Sequence, residues 1–78
     1  MTNLEKYETT FIDAFGIKKE ELAGLNYRGI ESWDSVGHMG LIGALEDNFS
    51  IMMDTDDIID FSSFEKGIEI LRKYSVEL

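Results

Sequence analysis

Ser35 carries the one hydroxyl that this chain sets up for chemistry. It stands in Asp34-Ser35-Val36, directly ahead of a helix-patterned run that continues to Phe49. An Asp at a helix start is a good N-cap, and the backbone N–H groups and dipole at that end favour an anion. A hydroxyl held there suits attachment of a phosphate. Nothing else in the chain forms a catalytic-looking cluster. Asp34, Ser35 and His38 offer the residue types of a hydrolase triad, but a nucleophile elbow needs Gly-x-Ser-x-Gly after a strand. Gly37 matches the second glycine of that pattern, and Trp33 stands where the first belongs. His38 is therefore expected as a solvated helix residue and Trp33 as a loop residue packed on the core. Asp54, Asp56, Asp57 and Asp60 invite a calcium-loop interpretation. That pattern requires an acid or amide and then a glycine where this chain has Ile58 and Ile59. No catalytic role and no specific metal site are expected.

The charge around Ser35 points to partners rather than to self-contained catalysis. The formal net charge is −9, and no Lys or Arg occurs between Gly29 and Glu65. That stretch holds nine acids: Glu31, Asp34, Glu46, Asp47, Asp54, Asp56, Asp57, Asp60 and Glu65. The flanks hold seven acids and seven bases, so the whole excess belongs to the segment containing Ser35. Such a field repels nucleic acid and anionic lipid and steers basic protein surfaces toward itself. Candidate partner contacts are Val36, Gly37, His38, Gly40, Glu46, Asp47, Asp54, Asp56 and Asp57.

The elements that must position Ser35 are helical. A chain of 78 residues makes one domain, burying about 60% of the surface exposed by its unfolded form. It has no apolar run near the roughly 20 residues that a spanning helix needs. Met1 to Lys6 lack a basic stretch followed by an apolar core, so a cytoplasmic monomer without membrane insertion is the expectation. The absence of cysteine excludes disulfides and thiolate metal sites. Thr2-x-x-Glu5 is a capping box for a first helix over residues 2–15, with Leu4, Tyr7, Phe11, Ala14 and Phe15 at helix spacing and Gly16 as its stop. The seventeen residues 17–33 form a long loop in which Leu22 and Leu25 can anchor a turn. The second helix runs from Ser35 to about Asn48, with Val36, Met39, Ile42, Leu45 and Phe49 assigned to its inner face. A short third helix fits residues 56–60. The fourth begins at Ser62 or Ser63, where Ser62-x-x-Glu65 is a second capping box, and continues through Phe64, Ile68, Leu71 and Tyr74. Gly37, Gly40 and Gly43 recur every third residue in the second helix, as either a close-packing stripe or a bare backbone strip beside Ser35. The expected fold is all-α: a four-helix bundle with a long loop between helices 1 and 2 and a short helix 3.

Asp34-Ser35-Val36, followed by Ala44-Leu45-Glu46-Asp47-Asn48-Phe49-Ser50-Ile51, resembles the acyl carrier proteins, in which an Asp-Ser-Leu or Asp-Ser-Val motif opens the second of four helices. Asp56-Asp57-Ile58 and Phe61-Ser62-Ser63-Phe64 are similar to that family's third helix and the cap into its fourth. The resemblance spans essentially the whole chain and is strongest from Trp33 to Ile51. It implies a carrier domain over residues 1–78, not an enzyme, with 4′-phosphopantetheine attached covalently from coenzyme A to Ser35 and Asp34 as the positioning neighbour. The implied partners are a phosphopantetheinyl transferase, an acyl- or aminoacyl-activating ligase, and acyl-transfer enzymes with basic surfaces. The lack of cysteine fits, since the only thiol would belong to the arm. Fatty-acid carriers place acids after the serine and a proline before the third helix; this chain has Gly37 and Gly40 there, with His38 between them, and no proline. Those departures point to a specialised carrier. The competing expectation is an unmodified acidic module that binds a basic partner.

Overall fold

The computed structural model describes residues 1–78 and is all-helical. Helix α1 spans Asn3–Phe15, α2 Ser35–Phe49, α3 Thr55–Asp60 and α4 Phe64–Lys73, with a single 3-10 turn at Lys19–Glu21 between the first two. No helix is long and apolar enough to cross a membrane.

The first cap forms as its residue types dictate. Thr2 Oγ1 accepts the Glu5 N–H at 3.1 Å, and the Glu5 carboxylate accepts the Thr2 N–H at 3.0 Å. Gly16 closes α1 in the left-handed region at φ 64°, where a Cβ would be strained. The second capping box does not form. Ser63, not Ser62, caps α4, and its Oγ accepts from the Lys66 N–H at 2.9 Å. The long loop takes the carboxylate that such a box needs, since Glu65 accepts from the Gly24 N–H at 3.2 Å, and it also holds Ser62 by its carbonyl, which accepts the Tyr27 N–H at 2.8 Å.

Those bonds explain why a seventeen-residue loop is tolerated in so small a fold. Its backbone is paired with the α3–α4 junction through Tyr27 to Ser62 and through Phe64 N–H to the Leu25 carbonyl at 2.8 Å. Leu22, Leu25 and Trp33 drop from it into the core. At the centre sits Phe11 of α1. Its ring meets Tyr7 edge-on at 4.9 Å, Phe64 at 5.2 Å and Trp33 at 5.5 Å, and it stacks on Phe61 at 6.1 Å. Each such pair contributes about 0.5–1.5 kcal/mol beyond simple burial. One side chain therefore joins α1, the long loop, the α3 end and α4.

Two sequence assignments on α2 are corrected. Val36 is 82% exposed and Met39 is 56% exposed, so neither belongs to the inner face, which runs through Leu41, Ile42 and Leu45. A strict i, i+3 row drifts by about 60° per step on a helix of 3.6 residues per turn. Three steps from Leu45 back to Val36 carry it to the opposite side. The glycine stripe breaks for the same reason. Gly37 and Gly40 line an open groove against α1 together with Thr10, Asp13 and Ala14, but Ala44 continues it rather than Gly43. On α1 the row is likewise shorter than its spacing suggests, since Leu4 and Ala14 are exposed.

Glycines at similar helical positions have opposite roles. A Cβ on Gly40 would meet nothing, whereas one on Gly67 in α4 would collide with the Tyr7 hydroxyl and the Phe61 ring, both fully buried. Gly40→Ala is expected to raise the melting temperature through helix propensity, by roughly 1 kcal/mol. Gly67→Ala is expected to lower it, at an overpacking cost of about 1–3 kcal/mol. Thermal melts of the two variants beside the wild type check both signs.

Candidate functional site

The start of α2 is held from four directions, and Ser35 projects from it. Asp34 is extended at φ −108° and ψ −166°, and its Oδ1 accepts the Gly37 N–H at 2.8 Å. The Asp34 carbonyl accepts the His38 N–H at 2.7 Å. That leaves Ser35 and Val36 as the first-turn amides that neither a helical carbonyl nor the cap engages. Gly37 is required here: a Cβ would run into the Ser32 carbonyl oxygen, so only glycine lets the preceding loop fold back over the helix. Ser32 in turn donates from Oγ to the Phe15 carbonyl at 3.2 Å, fastening that loop to the end of α1. Gly37 is thus a packing position on this side rather than bare backbone for a partner.

His38 is the chief correction at the site. Far from being solvated, its ring is half-buried and both nitrogens are engaged. Nδ1 lies 2.9 Å from Trp33 Nε1, and Nε2 lies 2.8 Å from the Ile58 carbonyl oxygen. An indole N–H can only donate and a carbonyl can only accept, so Nδ1 is the acceptor and the proton resides on Nε2. The imidazole is therefore a neutral bridge from the core tryptophan to α3. It has no free nitrogen with which to activate Ser35, and the triad types come together without triad geometry.

Ser35 stands at the mouth of a groove of about 360 Å³ between α2 and α3, lined by Tyr27, His38, Met39, Ile58, Ile59, Phe61 and Ser62. The Ser35 Oγ is 3.1 Å from the Tyr27 hydroxyl. No sequence signal marks Tyr27, which lies eight positions upstream in a non-periodic loop. Val36, Met39 and Ile59 add exposed apolar surface around the opening. The Ser35 hydroxyl thus stands at the α2 N-terminus, an end that favours an anion, and on the lining of this groove.

The acidic candidates divide. Asp34, Asp47, Asp54 and Asp56 are exposed and Gly40 opens onto the groove beside α1. Glu46 is half-buried, accepting the Met53 N–H at 3.0 Å. Asp57 is only 6% exposed: Lys73 Nζ lies 2.5 Å from one carboxylate oxygen and the Tyr74 hydroxyl donates to the other at 2.6 Å. Tyr74 also accepts the Asp54 N–H at 2.8 Å. Asp57 thus ties α3 to the end of α4 and is not free for a partner. Nowhere do three acidic or histidine side chains converge into a group that could hold a metal ion. No family model, curated protein or solved structure matches the chain.

Two measurements test this frame. The Lys73 bond, and then the Tyr74 bond, hold the Asp57 carboxyl below the usual carboxylate range. A depressed carboxylate contributes stability that is present above its unfolded pKa and is lost as pH falls through its folded pKa. Urea midpoints are therefore expected to drop below about pH 4, and Asp57→Asn is expected to be less stable at neutral pH and to flatten that acid limb. His38→Leu would leave the buried Trp33 N–H and the Ile58 carbonyl without partners. Its expected cost is about 1–3 kcal/mol for each group left bare, read from thermal unfolding followed by Trp33 emission.

Proposed function

We propose that the chain is a carrier domain: Ser35 accepts 4′-phosphopantetheine from coenzyme A, and the loaded arm delivers acyl or aminoacyl groups to partner enzymes. One observation carries this proposal. An exposed hydroxyl occupies the first residue of a capped helix, beside two first-turn amides without helical acceptors, at the mouth of an apolar groove. A phosphodiester gains from the amides and dipole of that helix end, and the groove has room for the apolar part of a cargo. When attached, the arm supplies a terminal thiol that holds the carried group as a thioester.

In the attachment step the Ser35 Oγ–P bond forms at the pantetheine-side phosphorus of coenzyme A. The bond from that phosphorus to the bridging oxygen breaks, 3′,5′-ADP leaves, and the Ser35 proton passes to a base of the transferase. The chain's own residues supply position alone. Asp34 caps the helix, Gly37 allows the loop over it, and the Trp33–His38–Ile58 bridge keeps α2 and α3 in register. Asp47, Asp54 and Asp56, with Val36 and Met39, provide a surface that suits transferases, ligases and acyl-transfer enzymes with basic, partly apolar faces. We place this carrier in the cytoplasm, as a monomer and as a specialised member rather than a housekeeping fatty-acid carrier, because Gly37 and Gly40, with His38 between them, stand where the fatty-acid carriers it resembles have acids.

Incubation with coenzyme A, Mg²⁺ and a broad-specificity phosphopantetheinyl transferase is expected to add the mass of one phosphopantetheine by intact mass spectrometry. Ser35→Ala is expected to add none. An unmodified wild type beside a control carrier that is fully converted would leave the acidic interaction module as the better account. Modification of Ser35→Ala would remove Ser35 as the attachment point.

A further inference from the structure

Tyr27 is the one side chain that reaches Ser35 from outside its own helix. Its backbone is fixed by the bond to the Ser62 carbonyl. Its ring stands edge-on to His38 at 5.6 Å and to Trp33 at 6.4 Å, so it packs on these two rings at the wall of the groove. The hydroxyl ends 3.1 Å from Ser35 Oγ. Arg28 follows it in the left-handed region at φ 65°, with its N–H bonded to the Trp33 carbonyl at 2.9 Å and its guanidinium 5.5 Å from the Tyr27 ring. The base that borders the long acidic segment is thus stationed beside the residue that holds the serine.

We propose that Tyr27 is a positioning residue for Ser35: its phenol selects the rotamer of the Ser35 hydroxyl before modification and donates to the phosphodiester afterwards. This rests on the carrier role proposed above. An exposed serine otherwise samples all its χ1 rotamers, and a reacting oxygen held in one of them reacts faster. Once the Oγ–P bond has formed, Oγ has no hydrogen to give and is a weak acceptor. The charged non-bridging oxygens of the phosphodiester would offer the same phenol a stronger, charge-assisted bond.

The phenol's own ionisation supplies an independent handle. The Ser35 bond first, and then the Arg28 guanidinium beside it, hold the Tyr27 phenol below the usual tyrosine range. Burial pushes Tyr7 far above that range, and the Asp57 bond raises Tyr74. Tyr27 is therefore expected to ionise first of the three tyrosines.

The test compares wild type, Tyr27→Phe and Ser35→Ala. Phe keeps the ring contacts with Trp33 and His38, and a thermal melt checks that the fold is retained. Tyr27→Phe is expected to lower kcat for phosphopantetheine attachment about threefold to tenfold, the worth of one hydrogen bond, with KM for the carrier little changed. Its modified form is expected to show a displaced phosphorus-31 resonance. In the unmodified chain, ultraviolet titration is expected to lose its earliest tyrosinate step in Tyr27→Phe and to show that step moved upward in Ser35→Ala. The Ser35→Ala titration leaves Tyr27 in place and so does not depend on the tyrosine variant folding. Wild-type kcat and an unmoved phosphorus resonance in Tyr27→Phe would overturn the positioning role while the carrier role stands. An earliest tyrosinate step unmoved in Ser35→Ala would overturn it as well. A wild type that takes up no phosphopantetheine would overturn both.

Discussion

The indole of Trp33 is the constraint on which the rest of the site depends. It is fully buried, stacked on Phe15 at 5.2 Å and edge-on to Phe11, so its position is set by α1. A buried indole N–H needs an acceptor, and the cost of leaving it bare is about 1–3 kcal/mol. His38 Nδ1 provides that acceptor from the first turn and a half of α2. Two residues beyond a fixed tryptophan and one turn before a fixed histidine, Ser35 has little freedom of placement. The same imidazole bonds the Ile58 carbonyl, so the far wall of the groove is referred to the same core ring.

Rigid support beneath an exposed hydroxyl suits a residue on which other proteins act. The groove side of Ser35 is apolar and held by the core; the outer side is acidic and open. Glu46 and Asp57 show that the acidity serves the fold too. Glu46 closes the turn after α2 through the Met53 N–H, and Asp57 joins α3 to Lys73 and Tyr74 of the chain's end. Glu31, Asp47, Asp54, Asp56 and Asp60 stay exposed, and their charge acts at longer range on a basic surface.

Helix existence and caps were legible because they depend on neighbours in sequence. Thr2 and Glu5 form their box, Gly16 ends α1, and Asp34 caps α2, all through contacts within one turn. Legibility failed wherever a distant segment competed for the same group. Ser62 and Glu65 have the types and spacing of a box, but Gly24 of the long loop takes the Glu65 carboxylate and Ser63 provides the cap instead. Spacing also misled where a three-residue row was followed too far, which placed Val36 and Met39 inside and joined Gly43 to a stripe that Ala44 completes.

By itself the sequence determined four helices, the caps of the first two, an acidic middle and a serine at the head of the second helix, because periodicity, capping and charge are local properties. Only the tertiary structure decided what surrounds that serine. Tyr27 comes to Ser35, His38 turns inward to Trp33 and Ile58, and Asp57 is consumed by Lys73 and Tyr74 through contacts that no spacing encodes. The physical reason is polar satisfaction under burial: an indole N–H, a carbonyl or a carboxylate taken out of water must find a partner. Which partner it finds depends on which segments the aromatic core has already brought alongside.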